Sequence, residues 1–202
     1  MRTDRIIFMK KLEREFYLRD ACTAAYELVG KILVHESHEG ITSGIIVETE
    51  AYKGPEDKAA HSCNNRRTAR TEIMFHEGGL SYVYMLYGIH CCFNITANIY
   101  GKPEAVLIRA LEPLEGVDLM KLRRRTESVK NLCSGPGKLC CAMGITRKLY
   151  GADLCGNELY VLDDGRPAPS VIASPRINID YAEEYKDVLW RYCAEGSRYV
   201  SR

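Results

Sequence analysis

The 202-residue chain has almost no net charge: Lys and Arg number 28 against 27 Asp and Glu. That balance excludes a protein that holds nucleic acid by bulk basicity, so any such surface must be a local patch. No CxxC spacing occurs among the nine cysteines, which argues against a zinc ribbon. The odd count and the adjacent pairs Cys91-Cys92 and Cys140-Cys141 argue against a disulfide framework. Reduced thiols in an intracellular protein are the simpler account. Long apolar stretches are missing too. The segment MRTDRIIFMKKLEREFYL carries only a short apolar run between charges, too short for a signal peptide or a membrane span. There is no internal repeat, linker or low-complexity tract. These absences, with 46% hydrophobic residues, predict one soluble intracellular domain over residues 1–202.

What is present centres on Gly44 to His61, GIIVETEAYKGPEDKAAH. The β-branched residues Ile45, Ile46 and Val47 predict a strand that breaks at Gly54-Pro55. Alternation puts Glu48, Glu50 and Tyr52 on one face and Val47, Thr49 and Ala51 on the other. On this stretch alone, the plain reading is the wet face of a half-exposed antiparallel sheet. Glu56-Asp57 is a turn and a possible helix start.

Around it, Asp20 to Val34 reads as a capped helix, stopped by Gly30, running into a strand. His35 to Gly40 reads as a polar hairpin turn whose two histidines are solvated. Asn64-Asn65-Arg66-Arg67-Thr68-Ala69-Arg70 reads as a loop, with arginines suited to phosphate oxygens. Ser81 to Thr96 predicts strand, tight turn and strand, with Tyr87-Gly88 at the tip. An aromatic at such a tip has little core to enter. Ala105 to Ala110 is an apolar strand with a lone arginine, Arg109, for which Glu48 or Glu50 would be a partner. Glu112-Pro113 closes that strand. Leu114 to Arg125 predicts an amphipathic helix. Ser134-Gly135-Pro136-Gly137-Lys138 predicts a helix start capped by Ser134, where Lys138 could hold a phosphate; the Walker spacing is absent. Further strands and a helix from Tyr181 to Arg191 complete the expectations.

Four ordered motifs, VETEAYKGPEDKAAHS, YVYMLYGIHCCFNIT, VLIRALEPLEG and CSGPGKLCCAMGI, make the chain similar to the alkyladenine (3-methyladenine) DNA glycosylases from about Leu28 to Leu154. The resemblance implies an α+β fold, a single mixed domain on a curved antiparallel β-sheet with surrounding helices and a protruding β-hairpin. It implies a monomeric enzyme without metal or cofactor, whose partner is double-stranded DNA containing a damaged purine. Glu50 would match the catalytic carboxylate that activates water, and Arg109 the arginine beside that water. Tyr52, His61 and Tyr84 would match the cage around the flipped base, and Asn94 the residue that crowds a guanine amino group. Tyr87 would match the wedge that fills the vacated stack. Arg66, Arg67, Arg70 and Lys138 would meet the DNA backbone. His90 and Cys92 lie beside the inferred pocket. Departures from the usual pattern are His76-Glu77-Gly78-Gly79, where relatives commonly have a Gly-Pro-rich turn, and Ala69, where proline is common.

These residue types suit the chemistry. A base must leave the duplex to expose its glycosidic bond, at a cost of a few kcal/mol, and stacking on aromatic rings returns roughly 1–3 kcal/mol. A base alkylated at a ring nitrogen is cationic, so electron-rich faces attract it. It also leaves easily, so a single carboxylate acting on water suffices. Glu48, about 7 Å along the same face, admits a two-carboxylate sugar hydrolase as a rival, but that leaves the tyrosine hairpin unexplained. The other rival is a binding module of the same fold without turnover. Nothing resembles a lysine nucleophile, so strand cleavage is not expected.

Overall fold

The structure is a computed structural model that describes residues 9–201; most of the apolar run near Ile6 lies outside the described residues. The elements in chain order are β1 (Lys10–Lys11), α1 (Arg14–Tyr17), α2 (Ala21–Leu28), β2 (Ile32–Ser37), β3 (Gly40–Lys53), β4 (Ser81–Leu86), β5 (His90–Ala97), β6 (Glu104–Glu115), α3 (Val117–Arg124), α4 (Pro136–Met143), β7 (Leu159–Asp163), β8 (Val171–Ser174) and β9 (Arg191–Ala194). All nine strands join one open antiparallel sheet in the order β1-β7-β2-β3-β6-β5-β4, with β9 on β3 and β8 on β9. The mixed α+β expectation holds. Among the described residues no helix is long and apolar enough to cross a membrane.

The long strand β3 is the axis of the sheet. One edge pairs with β6 along most of its length, and the other pairs first with β2 and then with β9. Of the three register shifts in the β3–β6 ladder, the two around Glu48 compensate each other. Ile46 pairs Leu111, Glu48 pairs Ala110 and Thr49 pairs Ile108, which leaves Val47 on β3 and Arg109 on β6 without a partner. Such bulges bend a strand and re-aim its side chains. Val47 accordingly packs with Ala110 and Tyr199 outside the main core, which corrects its expected place with Thr49 and Ala51.

The two faces of the sheet have different tasks. On one, α2 and α4 cover a continuous core that includes Leu28, Leu33, Ile46, Ala51, Phe93, Ile108 and Met143. Asp20 caps α2, its carboxylate accepting from the amides of Cys22 (3.0 Å) and Thr23 (3.4 Å), a contact worth about 1 kcal/mol. The Thr49 hydroxyl donates to Ala25 O at 2.8 Å and ties β3 to that helix. The other face carries only small clusters, Ala59–Ile179–Ala182 and Met74–Tyr82–Ala105. Polar groups have room there.

Several local expectations are corrected. His35 is not solvated: β2 extends through it, and its ring is buried with Nδ1 2.7 Å from Met143 O. Strand β6 runs past Glu112-Pro113 to Glu115, so α3 starts at Val117 rather than Leu114. Pro113 sits opposite Gly44 beside a register shift, where a missing N–H costs little. Helix α4 does begin with Pro136, but Gly135 occupies the cap position and no side chain caps it, Ser134 included. Glu56-Asp57 starts no helix. Tyr181 to Arg191 is not a helix: Asp180–Asp187 is a kinked 3₁₀ segment broken at Ala182 and Glu183, and Arg191 opens β9.

Candidate active site

The face of β3 opposite the α2 core holds two carboxylates. Glu48 and Glu50 are both fully buried, so the wet-face reading of this strand does not stand. A buried carboxylate must be paired, and the pairing is dense. Arg109, re-aimed by its bulge, donates from Nε to Glu48 Oε1 at 2.9 Å and places Nη1 3.3 Å from Glu50 Oε1. Burial alone would depress the Arg109 pKa, but Glu50 and Glu48 outweigh it and hold it above its ordinary value. Glu50 Oε2 accepts from the Tyr52 hydroxyl at 2.8 Å, and Oε1 accepts from the Ile177 amide at 2.8 Å. Burial first and the Glu50 charge second push the Tyr52 phenol well above its ordinary range, so it stays a donor. A carboxylate has about four acceptor positions. Tyr52 and the Ile177 amide fill two by hydrogen bonds and Arg109 Nη1 lies at ion-pair distance from Oε1, which leaves an acceptor position on Oε2 for a water.

Beside this acid lies an aromatic recess. Tyr52, Ala59, His61, Met74, Tyr82, Tyr84, Asn94, Ala105 and Tyr181 line a small recess of about 50 Å³. Tyr181, which is mostly exposed, is the freest of these walls. The His61 and Tyr84 rings meet edge to face at 4.7 Å, and Tyr82 lies 5.4 Å from Tyr84. The Asn94 amide donates to Tyr82 O at 3.1 Å, which fixes its orientation. Cys92 pairs opposite Tyr84 and is buried behind it. His90 is exposed and packs toward Gly137. A larger open cleft of about 510 Å³, lined by residues including Ile45, Arg166 and Tyr199, shares no residue with the recess. Chemistry rather than size therefore locates the site.

His61 is held neutral. Its Nδ1 lies 2.8 Å from the Tyr82 hydroxyl and its Nε2 2.8 Å from Arg70 Nη2. Since a guanidinium only donates, Nε2 accepts and Nδ1 carries the proton. Burial, then Arg70, then Arg66 lower its pKa to about 4. The unfolded imidazole takes up a proton near 6.5, so between about pH 6.5 and 4 the unfolded state binds more protons and stability falls as pH falls. Urea denaturation at pH 7, 5.5 and 4.5 should show a shallower loss for His61→Gln than for wild type. Parallel curves would contradict the assignment.

The residues expected at the DNA backbone sit differently from one another. Arg67 is bound to Glu72 at 2.5 Å. Arg70 lies over the Tyr84 ring, 4.6 Å from its centre, as part of the cage wall. Arg66 and Lys138 are exposed and have no carboxylate partner among the described residues. Tyr87 stands at the hairpin tip with φ of 51° beside Gly88 at 71°, and it is 86% exposed. Among the described residues no group of His, Cys, Asp and Glu could hold a metal ion, and all nine cysteines are free.

Sequence reasoning missed a buried ion pair behind the cage. Arg176 donates from Nη1 to Asp57 Oδ2 at 2.5 Å and from Nη2 to Asp57 Oδ1 at 2.9 Å, and neither side chain is exposed. The guanidinium lies 4.7 Å from the Tyr52 ring centre and 5.1 Å from that of Trp190. Asp57 also accepts from the amides of Ala59 and Lys53. Nothing in the spacing of residues 170–190 signals this partner, and Tyr181 and the Ile177 amide come from the same unsignalled stretch.

The sequence profile of the methylpurine-DNA glycosylase family matches residues 15–198, nearly all of the described chain. The chain belongs to this family. Relatives named "Putative 3-methyladenine DNA glycosylase" agree over almost their whole length. The one from Desulfitobacterium hafniense is 50% identical over 201 residues, covering 96% of this chain and 99% of its own. The one from Clostridium novyi is 48% identical, covering 96% and 100%, and that of Clostridium acetobutylicum 47%, covering 95% and 97%. The methylpurine-DNA glycosylase match extends past the four motifs on both sides and takes in Arg176, Ile177 and Arg191.

Proposed function

We propose that this glycosylase-family chain is a monofunctional DNA N-glycosylase that flips out alkylated or deaminated purines and hydrolyses their N-glycosidic bond. The observation that carries the reading is Glu50: a buried carboxylate with one open acceptor position beside a recess of tyrosines and a neutral histidine. That open position takes the water. Glu50 orients and deprotonates it and offsets the positive charge developing on the sugar. Tyr52, His61 and Tyr84 stack on the base; Asn94 crowds a guanine amino group. Neutral His61 matters, because a charged ring would repel a cationic base. Tyr87 fills the gap left in the duplex, and Arg66 and Lys138 face phosphate, an attraction that weakens with salt, whereas Arg67 is held by Glu72 and Arg70 by the recess wall.

Base release from duplex oligonucleotides, each with one 3-methyladenine analogue, hypoxanthine or ethenoadenine, tests the activity and ranks the lesions. Tyr87→Ala should weaken lesion-duplex binding about 5- to 150-fold, because stacking is worth roughly 1–3 kcal/mol, and should leave thermal stability unchanged at so exposed a position. Unchanged DNA affinity would remove the wedge role. Lesion binding without release from any substrate would favour the binding-module reading.

A further inference from the structure

The proposed chemistry uses one carboxylate of a buried pair, which leaves Glu48 without a task. Its surroundings supply one. Four donors converge on it: Arg109 Nε at 2.9 Å, Arg191 Nε at 2.7 Å, the Ser201 hydroxyl at 2.9 Å and the Ser201 amide at 2.6 Å. Three of them, the two Nε groups and the hydroxyl, meet on Oε1, and the amide holds Oε2. Neither acid lines the aromatic recess itself, but Glu50 is hydrogen-bonded to one of its walls, Tyr52, whereas every partner of Glu48 lies away from it. The strong partners of Glu48 are two arginines, one of which continues to Glu50. Two carboxylates and two guanidiniums make the cluster electrically neutral, which is how two fully buried acids coexist.

We propose that Glu48 is a positioning residue that, with Arg191 and Ser201, anchors Arg109 so that a single N–H group meets Glu50 and one acceptor of Glu50 stays open to water. The inference rests on the glycosylase reading for its chemistry, but its geometry can be tested without turnover. The guanidinium is planar and offers five N–H donors in a fixed fork. Glu48 takes the Nε edge, and Ser201 Oγ, 3.2 Å from Arg109 Nη2, takes a second. Released from this anchor, the fork is free to turn more of its N–H groups to Glu50 and fill the position that water needs. The register shift that leaves Arg109 unpaired in the ladder gives it the reach to bridge both acids. Ser201 and Arg191 thereby give the carboxy-terminal stretch of the described chain a part in the reaction.

The experiment compares wild type, Glu48→Gln and Ser201→Ala. Single-turnover base release, the dissociation constant for lesion duplex, the pH–rate profile and the hydrogen-exchange protection of Arg109 Nε–H are read on each. Glu48→Gln should lower the release rate roughly a hundredfold, as expected when a reacting group is misplaced by an ångström, with duplex affinity within about twofold. The basic limb of the profile should stay. Ser201→Ala keeps every charge and should cost about threefold; it decides the matter if Glu48→Gln does not fold. An unchanged rate in a folded Glu48→Gln, Arg109 Nε–H protection undiminished by the weaker neutral acceptor, parallel loss of rate and affinity, or loss of the basic limb would each overturn the proposal, the last by making Glu48 a proton donor. If wild type releases no base, the glycosylase reading fails alone, and the Nε–H protection still decides the anchoring.

Discussion

Glu50→Gln should reduce base release by about 10²–10⁴-fold, the usual contribution of a positioned general base, while lesion-duplex binding and folding persist. That loss equals about 3–5 kcal/mol of barrier. Folding should survive because the substitution orphans no charge: Arg109 keeps Glu48 at 2.9 Å, and the Gln carbonyl still accepts from the Ile177 amide. Duplex binding should survive because Glu50 lies beneath the cage and not among the groups that face phosphate. Single-turnover release from a lesion duplex with enzyme in excess isolates this step from product release. A variant that loses less than tenfold would take the general base away from Glu50. A variant that also loses duplex affinity would show that Glu50 holds the cage in shape.

The second large effect is on stability. Asp57→Ala should cost about 3–5 kcal/mol, since removing one partner of a buried pair strands the other charge. Arg176 would then have Ala51 O and Tyr185 O as its hydrogen-bond acceptors, and its Nε is already a buried donor without a partner. The double variant Asp57→Ala/Arg176→Met should recover part of that loss, because no charge stays behind in the interior. By contrast, Lys58→Met, which removes an exposed cation from Glu183 and Glu184, should leave stability nearly unchanged. Urea midpoints at constant slope measure all three. A loss below 1 kcal/mol for Asp57→Ala would mean that the site relaxes and admits water. Because Arg176 also backs the Tyr52 ring, Asp57→Ala should loosen the cage as well as the fold.

Period-two alternation was enough to put Glu48, Glu50 and Tyr52 on one face, and the lone arginine in an apolar strand was enough to ask for an acid partner. Both readings hold because each depends on neighbours in the chain or on one strong physical demand. Burial of that face was not legible. Whether a sheet face is wet depends on what covers it, and here the cover comes from Arg176, Ile177 and Tyr181, more than 120 residues away from Glu50 in the chain. Tyr181 to Arg191 misled because a helical spacing of apolar residues cannot report that Glu183 adopts φ of 50°. His35 misled because two histidines among polar residues look solvated, although the strand continues beneath α4. The hairpin and Tyr87 were readable for the opposite reason, since a glycine-bearing tip between alternating runs specifies its own geometry. The role of Arg70 was half readable. A guanidinium in a basic loop suits a phosphate, and only the fold brings it onto His61 and Tyr84.

The paired irregularities at Val47 and Arg109 carry a consequence for how this gene can change length. Each strand holds one surplus residue, and the two cancel, so the ladder from Thr49 to Lys53 meets Ile108 to Glu104 in step. Deleting either codon alone would slide one strand past the other by a residue and turn Glu50 and Tyr52 toward the dry side. Deleting both would restore the step and lose Val47 and Arg109 themselves. Insertions and deletions here are therefore tolerable only as coupled events, a double change that single-step mutation cannot reach without passing through a chain whose acids face its core.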